Sequence, residues 1–200
     1  YGITDNLMVG TNLFSLLFLN INIGAKFNLL NENKGSPLGL GFFGGFNQFR
    51  LIDITWNVIG GGVSAGLKIA KPKGASRKGE SNIFMAFSFS QVSVSGDISD
   101  TTVTWTSPTG TSLSFGFDYF TSENIRIAGD VIYTLPQKVS GISVKGMFWF
   151  SGGLHIAWKN FNLKLGLGTS PELLSSDIPL KFLPMINLYW RFGGKPPTGN

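Results

Sequence analysis

His155 is the only histidine in the chain, and Ser151 lies four residues before it on the same face of an alternating segment. A histidine beside a serine is the minimum for base-assisted acyl transfer. At strand rise, however, the two are separated by about 13 Å, far beyond hydrogen-bond reach. A catalytic pair would therefore need a serine from a neighbouring strand, and no catalytic residue is assigned. With no cysteine and one histidine, the chain lacks the ligand set of a transition-metal centre. Asp97 and Asp100 alone make a poor calcium site. Gly60-Gly61-Gly62 is not followed by the Lys-Ser/Thr of a phosphate loop. No cofactor and no metal are expected, and the chain reads as something other than an enzyme.

The remaining polar residues are more informative for where they sit. Lys26, Lys68, Asp118, Arg126, Asp130, His155, Lys164, Tyr189 and Arg191 all fall between apolar neighbours. In Asn160–Gly168 every second residue is apolar, and polar residues or glycine stand between them. The same rhythm runs through Asn20–Leu29, Ser112–Tyr119 and Ile125–Tyr133. Period two marks strands with two unlike faces. Here one face carries Phe, Leu, Trp and Tyr; the other is small, glycine-rich and thinly charged.

Composition fits that pattern. Charged residues make up 14% of the 200, glycine numbers 27 and the net charge is +5; mean hydropathy is +0.17. Soluble domains average roughly 25% charge. No apolar run approaches the roughly 20 residues of a membrane helix. An apolar chain without a helical span is expected to cross a membrane as a closed barrel, with lipid outside and a polar interior. The excess of basic residues is scattered. Its one cluster, Lys71, Lys73, Arg77 and Lys78, reads as a solvated turn, so no nucleic-acid face is expected.

Alternation and turn chemistry predict about ten strands (range 8–12), near 7–15, 20–30, 38–47, 57–70, 82–94, 110–120, 125–135, 146–158, 161–168 and 183–192. The rhythm weakens in Gln48–Asn57, where Phe49, Leu51, Ile52, Ile54 and Trp56 suit either strand extensions or a folded loop. Connections at 31–37, 71–81, 121–124 and 159–160 form one set, and 16–19, 48–56, 95–109, 136–145 and 169–182 the other. The second set is longer on average, as extracellular loops are. The expected architecture is an all-β, antiparallel up-and-down transmembrane barrel over 1–192, followed by a flexible tail at 193–200.

Tyr1-Gly2-Ile3-Thr4-Asp5-Asn6-Leu7-Met8-Val9-Gly10, followed by Ile23-Gly24-Ala25-Lys26-Phe27, resembles the openings of many Gram-negative outer-membrane barrel families. Ile186, Leu188, Trp190 and Phe192, sharing one face, resemble the C-terminal signal read by the barrel-assembly machinery, although Asn187 stands where glycine is usual. The resemblance implies residence in the bacterial outer membrane, with the lipid bilayer and the assembly machinery as partners. Tyr119, Trp158, Phe161, Trp190 and Phe192 would then form one aromatic girdle, and Tyr133 with Phe148 the other. The charged and polar residues named above would line the lumen. The excess of cations among them suits a small pore or transport-type barrel for small solutes, anionic ones included. Two alternatives stay open: a closed structural or adhesive barrel that acts through its loops, and a soluble lipocalin-like carrier with its apolar face inward.

Overall fold

The computed structural model describes residues 6–11, 20–30, 36–51, 54–70, 76–98, 101–107, 109–139, 142–158, 161–177 and 179–190. In chain order the strands are β1 (Leu7–Gly10), β2 (Asn20–Leu30), β3 (Leu38–Leu51), β4 (Ile54–Ala70), β5 (Ser81–Ile98), β6 (Thr101–Thr106) and β7 (Gly110–Phe120). β8 (Ile125–Thr134), β9 (Gln137–Val139), β10 (Ile142–Val144), β11 (Met147–Ala157), β12 (Phe161–Thr169) and β13 (Leu183–Trp190) follow. One short helix, α1 (Pro171–Ser175), precedes β13. It is opened by Pro171 and capped by Ser170, whose hydroxyl accepts from the Leu173 amide at 3.1 Å.

Ten strands pair in the order β1-β2-β3-β4-β5-β7-β8-β11-β12-β13, and every pairing is antiparallel. This up-and-down order follows directly from short hairpin connections between neighbours. The sheet curls into a half-barrel. The expected closed cylinder is not seen: among the described residues β1 pairs only with β2, and β13 only with β12.

The second set of connections carries structure of its own. Segment 48–56, which suited either strand extensions or a folded loop, lengthens β3 and β4, which stay paired from Leu38↔Leu67 to Leu51↔Ile54. Segment 95–109 contains a hairpin, in which β6 folds back on β5 from Ile98↔Thr101 to Ser93↔Thr106. Segment 136–145 holds the small β9–β10 hairpin, and 169–182 contains α1. All four lie at the end opposite the 121–124 turn. The expected strand 7–15 is described only as far as Thr11, and the 193–200 tail lies outside the described residues.

The distribution of polarity is inverted relative to a soluble domain. Among the described residues Phe120 is the one buried hydrophobic residue, whereas Glu80, Asp118, His155, Asn162, Thr169 and Ser170 are buried polar ones. Exposed side chains include Ile59 at 58% and Phe117 at 51%, against 8% for Asp118 and 4% for Asn162. Ordinary domains hide the former and wet the latter. The polar face is the concave one, because added side-chain atoms there run into the adjoining strands. A Cβ at Gly62 would overlap the Phe87 carbonyl oxygen, and one at Gly116 would overlap the Phe84 ring. Glycine at these positions lets a strongly curved sheet close up on its inner side.

Candidate functional site

The concave face at the short-turn end carries a continuous polar network. Its parts are delivered by register. β5 places Asn82 opposite Asp118 of β7, β8 places Arg126 opposite Phe120, β11 places His155 opposite Arg126, and β12 places Lys164 opposite His155. Period two then aims all of these side chains inward.

At the centre, Arg126 donates through Nη1 to Asp118 Oδ2 at 2.7 Å and through Nε to His155 Nδ1 at 2.6 Å. Asn82 Nδ2 donates to the other Asp118 oxygen at 2.7 Å. Because His155 Nδ1 accepts from a guanidinium, its proton belongs on Nε2, which faces Asn162 Oδ1 at 3.3 Å. Both ring nitrogens are thus occupied, and neither offers a lone pair to a substrate proton. Ser151, the other half of the hypothetical pair, donates to Asp130 Oδ1 at 2.6 Å. The arrangement holds charge in place, and the Ser151 hydroxyl is engaged by Asp130 and not by His155.

The network continues into the turn between β4 and β5. Arg77 Nη2 meets Glu80 Oε1 at 3.1 Å, and Lys68 Nζ lies 3.6 Å from Glu80 Oε2. The Arg77 guanidinium stands 3.9 Å from the centroid of the Phe120 ring, with that of Arg126 at 5.8 Å. These are favourable cation–π placements on the buried Phe120 ring. Burial pushes the Glu80 carboxyl up, but Arg77, Lys68 and Asn82 together outweigh it and hold the group below its ordinary value.

Two turns cooperate to aim Arg77. The Gly79 amide donates to the Phe120 carbonyl at 2.8 Å, and the Phe120 amide donates to the Glu80 carbonyl at 2.9 Å. Gly79 supplies the positive φ, 86°, that this path requires. Glu123, in the 121–124 turn, accepts the Ser76 hydroxyl and the Arg77 amide, which hold its carboxyl below the ordinary value. The expectation of a solvated basic turn is therefore wrong for Arg77, which folds in as part of the network. Lys71 and Lys73 lie outside the described residues.

The structure brings together Lys68, Asp118, Arg126, His155 and Lys164, the last lying in the fields of Arg126, Asp130 and Asp118. Asp130, held by Ser151, lies four residues along β8 from Arg126, about 13 Å of strand. Lys26 is exposed on β2 opposite Phe43, apart from this network. Tyr189 is set opposite Asn162 by backbone register; Arg191 and Phe192 lie outside the described residues. Among the aromatics, Tyr133 and Phe148 meet with ring centroids 4.6 Å apart. Tyr119 and Trp158 are exposed toward the opposite end, where Phe161 and Trp190 are register partners. Sequence reasoning missed Arg77 and Glu80. Their spacing, an Arg three residues before a Glu across a glycine, was the available signal.

No family model, no curated protein and no solved structure matches this chain.

Proposed function

We propose that the chain is an outer-membrane β-barrel of transport type, with its convex face in lipid and its concave face lining a path for small solutes. The observation that carries this reading is the inverted polarity, sharpened by the height of the apolar band. On β4 the convex apolar series runs Ile59, Val63, Leu67, Ile69. That spans about 33 Å of strand, or about 25 Å along a bilayer normal at a tilt of about 40°, the height of a barrel's lipid-facing belt. A soluble lipocalin-like carrier would need the opposite placement, with the apolar side chains concave.

The test places Trp158, exposed at the edge of the band, against lipids brominated on their acyl chains. A variant with Trp158 as sole tryptophan should be quenched in vesicles and should need detergent or lipid to stay in solution. Unquenched, freely soluble protein would end the membrane reading.

A second reading has its own support. The floor cations are engaged, Arg126 with Asp118 and Lys68 with Glu80, which favours a stoppered barrel whose projecting hairpins do the work. Single-channel recording separates the two. Current steps whose reversal potential moves toward cations when Lys26, Lys68 and Lys164 become Gln support an anion-preferring conduit. Silent, well-folded protein supports the stoppered form.

A further inference from the structure

In strands β3 to β6 the convex apolar series ends at one ladder, beyond which the apolar residues are concave; below it Phe43 and Phe84 already lie on the concave face. Along β3, Leu40, Phe42 and Phe46 point to the convex side, but beyond Asn47 it is Phe49 that is apolar, on the concave side. Along β4 the change falls between Val58, concave, and Ile59, convex. Along β5, Phe87 and Phe89 are convex, whereas Val92 and Val94 are concave. The switch residues Asn47, Val58 and Val92 are direct register partners. β6 continues the new phase, because Val103 and Trp105 pair with Gly96 and Val94.

A strand changes phase only where alternation is broken, and three neighbouring strands breaking it on one ladder mark a change of solvent. Beyond this ladder the convex face is polar: Gln48 donates to Asn57 Oδ1 at 2.9 Å, with Thr55, Gln91 and Ser93 around them. On the proposed barrel reading, on which this inference rests, the strands leave the bilayer here and stand in water. Their apolar groups have moved to the concave side and form a collar over the mouth. Phe49 and Trp56 lie 5.5 Å apart there, and Val103 and Trp105 remain 50% and 49% exposed.

Charge and hydrogen bonding select the occupant. By register, no ionisable side chain among the described residues of β3–β6 shares the concave face between the collar and Lys68. Lys68 is about 40 Å of strand away from Trp56. On the adjoining β2, Lys26 sits opposite concave Phe43, about 13 Å of strand below Asn47, so a charged ligand held in the collar would lose hydration without a direct ion partner from these strands. At the base of the collar, Asn47 Oδ1 is buried without a hydrogen-bond partner, an acceptor awaiting a donor. We propose that the collar binds a neutral, largely apolar small molecule carrying one hydroxyl donor, of the phenol or alcohol class. The aromatic and valine side chains would cover its body and Asn47 would accept its proton.

The test uses the refolded chain in lipid nanodiscs, with Trp149, Trp158 and Trp190 changed to Phe so that Trp56 and Trp105 report. Near neutral pH, para-bromophenol should quench them saturably, and para-bromobenzoate of the same size should bind at least about ten-fold more weakly. Asn47→Leu should weaken para-bromophenol about five-fold while leaving bromobenzene unchanged. Linear, unsaturable quenching by all three probes would overturn the proposal. So would a Val103→Cys/Leu174→Cys disulfide that forms readily and is unaffected by para-bromophenol, since the α1 segment would then cover the collar. Quenching of Trp56 and Trp105 by brominated lipid would also overturn it, by placing the blade in the bilayer while leaving the barrel reading intact. Failure of the Trp158 measurement would instead remove the barrel reading beneath it.

Discussion

Arginine at Phe87 tests the face assignment most sharply, because water and lipid give very different costs. Phe87 is exposed on the convex face of β5 and pairs with Val63 of β4 and Leu113 of β7. Val63 lies four residues inside the band from Ile59, about 13 Å along the strand and so about 10 Å below its upper edge at ordinary barrel tilt. That depth is close to the midplane. In water, replacing an exposed Phe by Arg changes stability by about 0.5 kcal/mol or less. At a bilayer midplane it costs about 2–4 kcal/mol, or roughly 30- to 900-fold in the folding equilibrium. Ala86→Arg is the control: its position faces inward between Ser64 and Ser114, where a long cation meets hydroxyls and solvent. Denaturant titration of protein folded into vesicles should show a large loss for Phe87→Arg and a small one for Ala86→Arg. Equal stabilities, or a Phe87→Arg protein that gains solubility without detergent and keeps its fold, would refute the assignment.

Three further outcomes follow from the network and the curvature. Asp118→Ala leaves Arg126 without its carboxylate; the roughly 3–5 kcal/mol typical of a broken buried pair is an upper bound, since Arg126 is 27% exposed, and a double-mutant cycle with Arg126→Met should show coupling in the same range. Gly116→Ala should destabilise by about 1–3 kcal/mol, because its Cβ overlaps the Phe84 ring; Phe84→Ala should recover part of the loss, the Gly129 carbonyl at 2.8 Å keeping the rest. For Glu80, whose folded pKa is held below the ordinary 4.5, stability is present in full above that value and is lost as pH falls through the lower folded one. Glu80→Gln should therefore lower stability at neutral pH and flatten the acid limb of a pH titration, and an unchanged acid limb would remove Glu80 from the network.

Much of this was legible because period two leaves little freedom. Once Leu113, Phe115 and Phe117 share a face, Asp118 must point away from them, and the same argument turns Arg126, His155 and Lys164 inward. Alternation cannot say which inward residue meets which, since partners depend on register and register depends on turn geometry. Arg126 reaching both Asp118 and His155 needs β7, β8 and β11 to be paired with Phe120↔Arg126↔His155 in line. Arg77 was less legible still. A run of basic residues with glycines ordinarily stays in water, and only the docking of two turns through Glu123 and Phe120 draws this one under the sheet.

The segments where alternation weakens teach a different lesson. Asn47-Gln48, Val58-Ile59 and Ser90-Gln91 each spoil the period locally, so a search for one continuous rhythm bounds the first two strands near there, at 47 and 57, carries the third on to 94, and assigns loops beyond. The strands do not end: β3 and β4 stay paired to Leu51↔Ile54, and β5 gains β6 as a partner. A loop would break the pattern at unrelated points in each segment. A change of surroundings must break it on one ladder, because neighbouring strands meet the same boundary together. The three interruptions fall at register partners or within two residues of them, so they belong to one physical cause. On that argument the dipeptide Val58-Ile59 is the most informative pair in the chain: two adjacent apolar residues on opposite faces, one ending the convex apolar series and the other beginning the concave one.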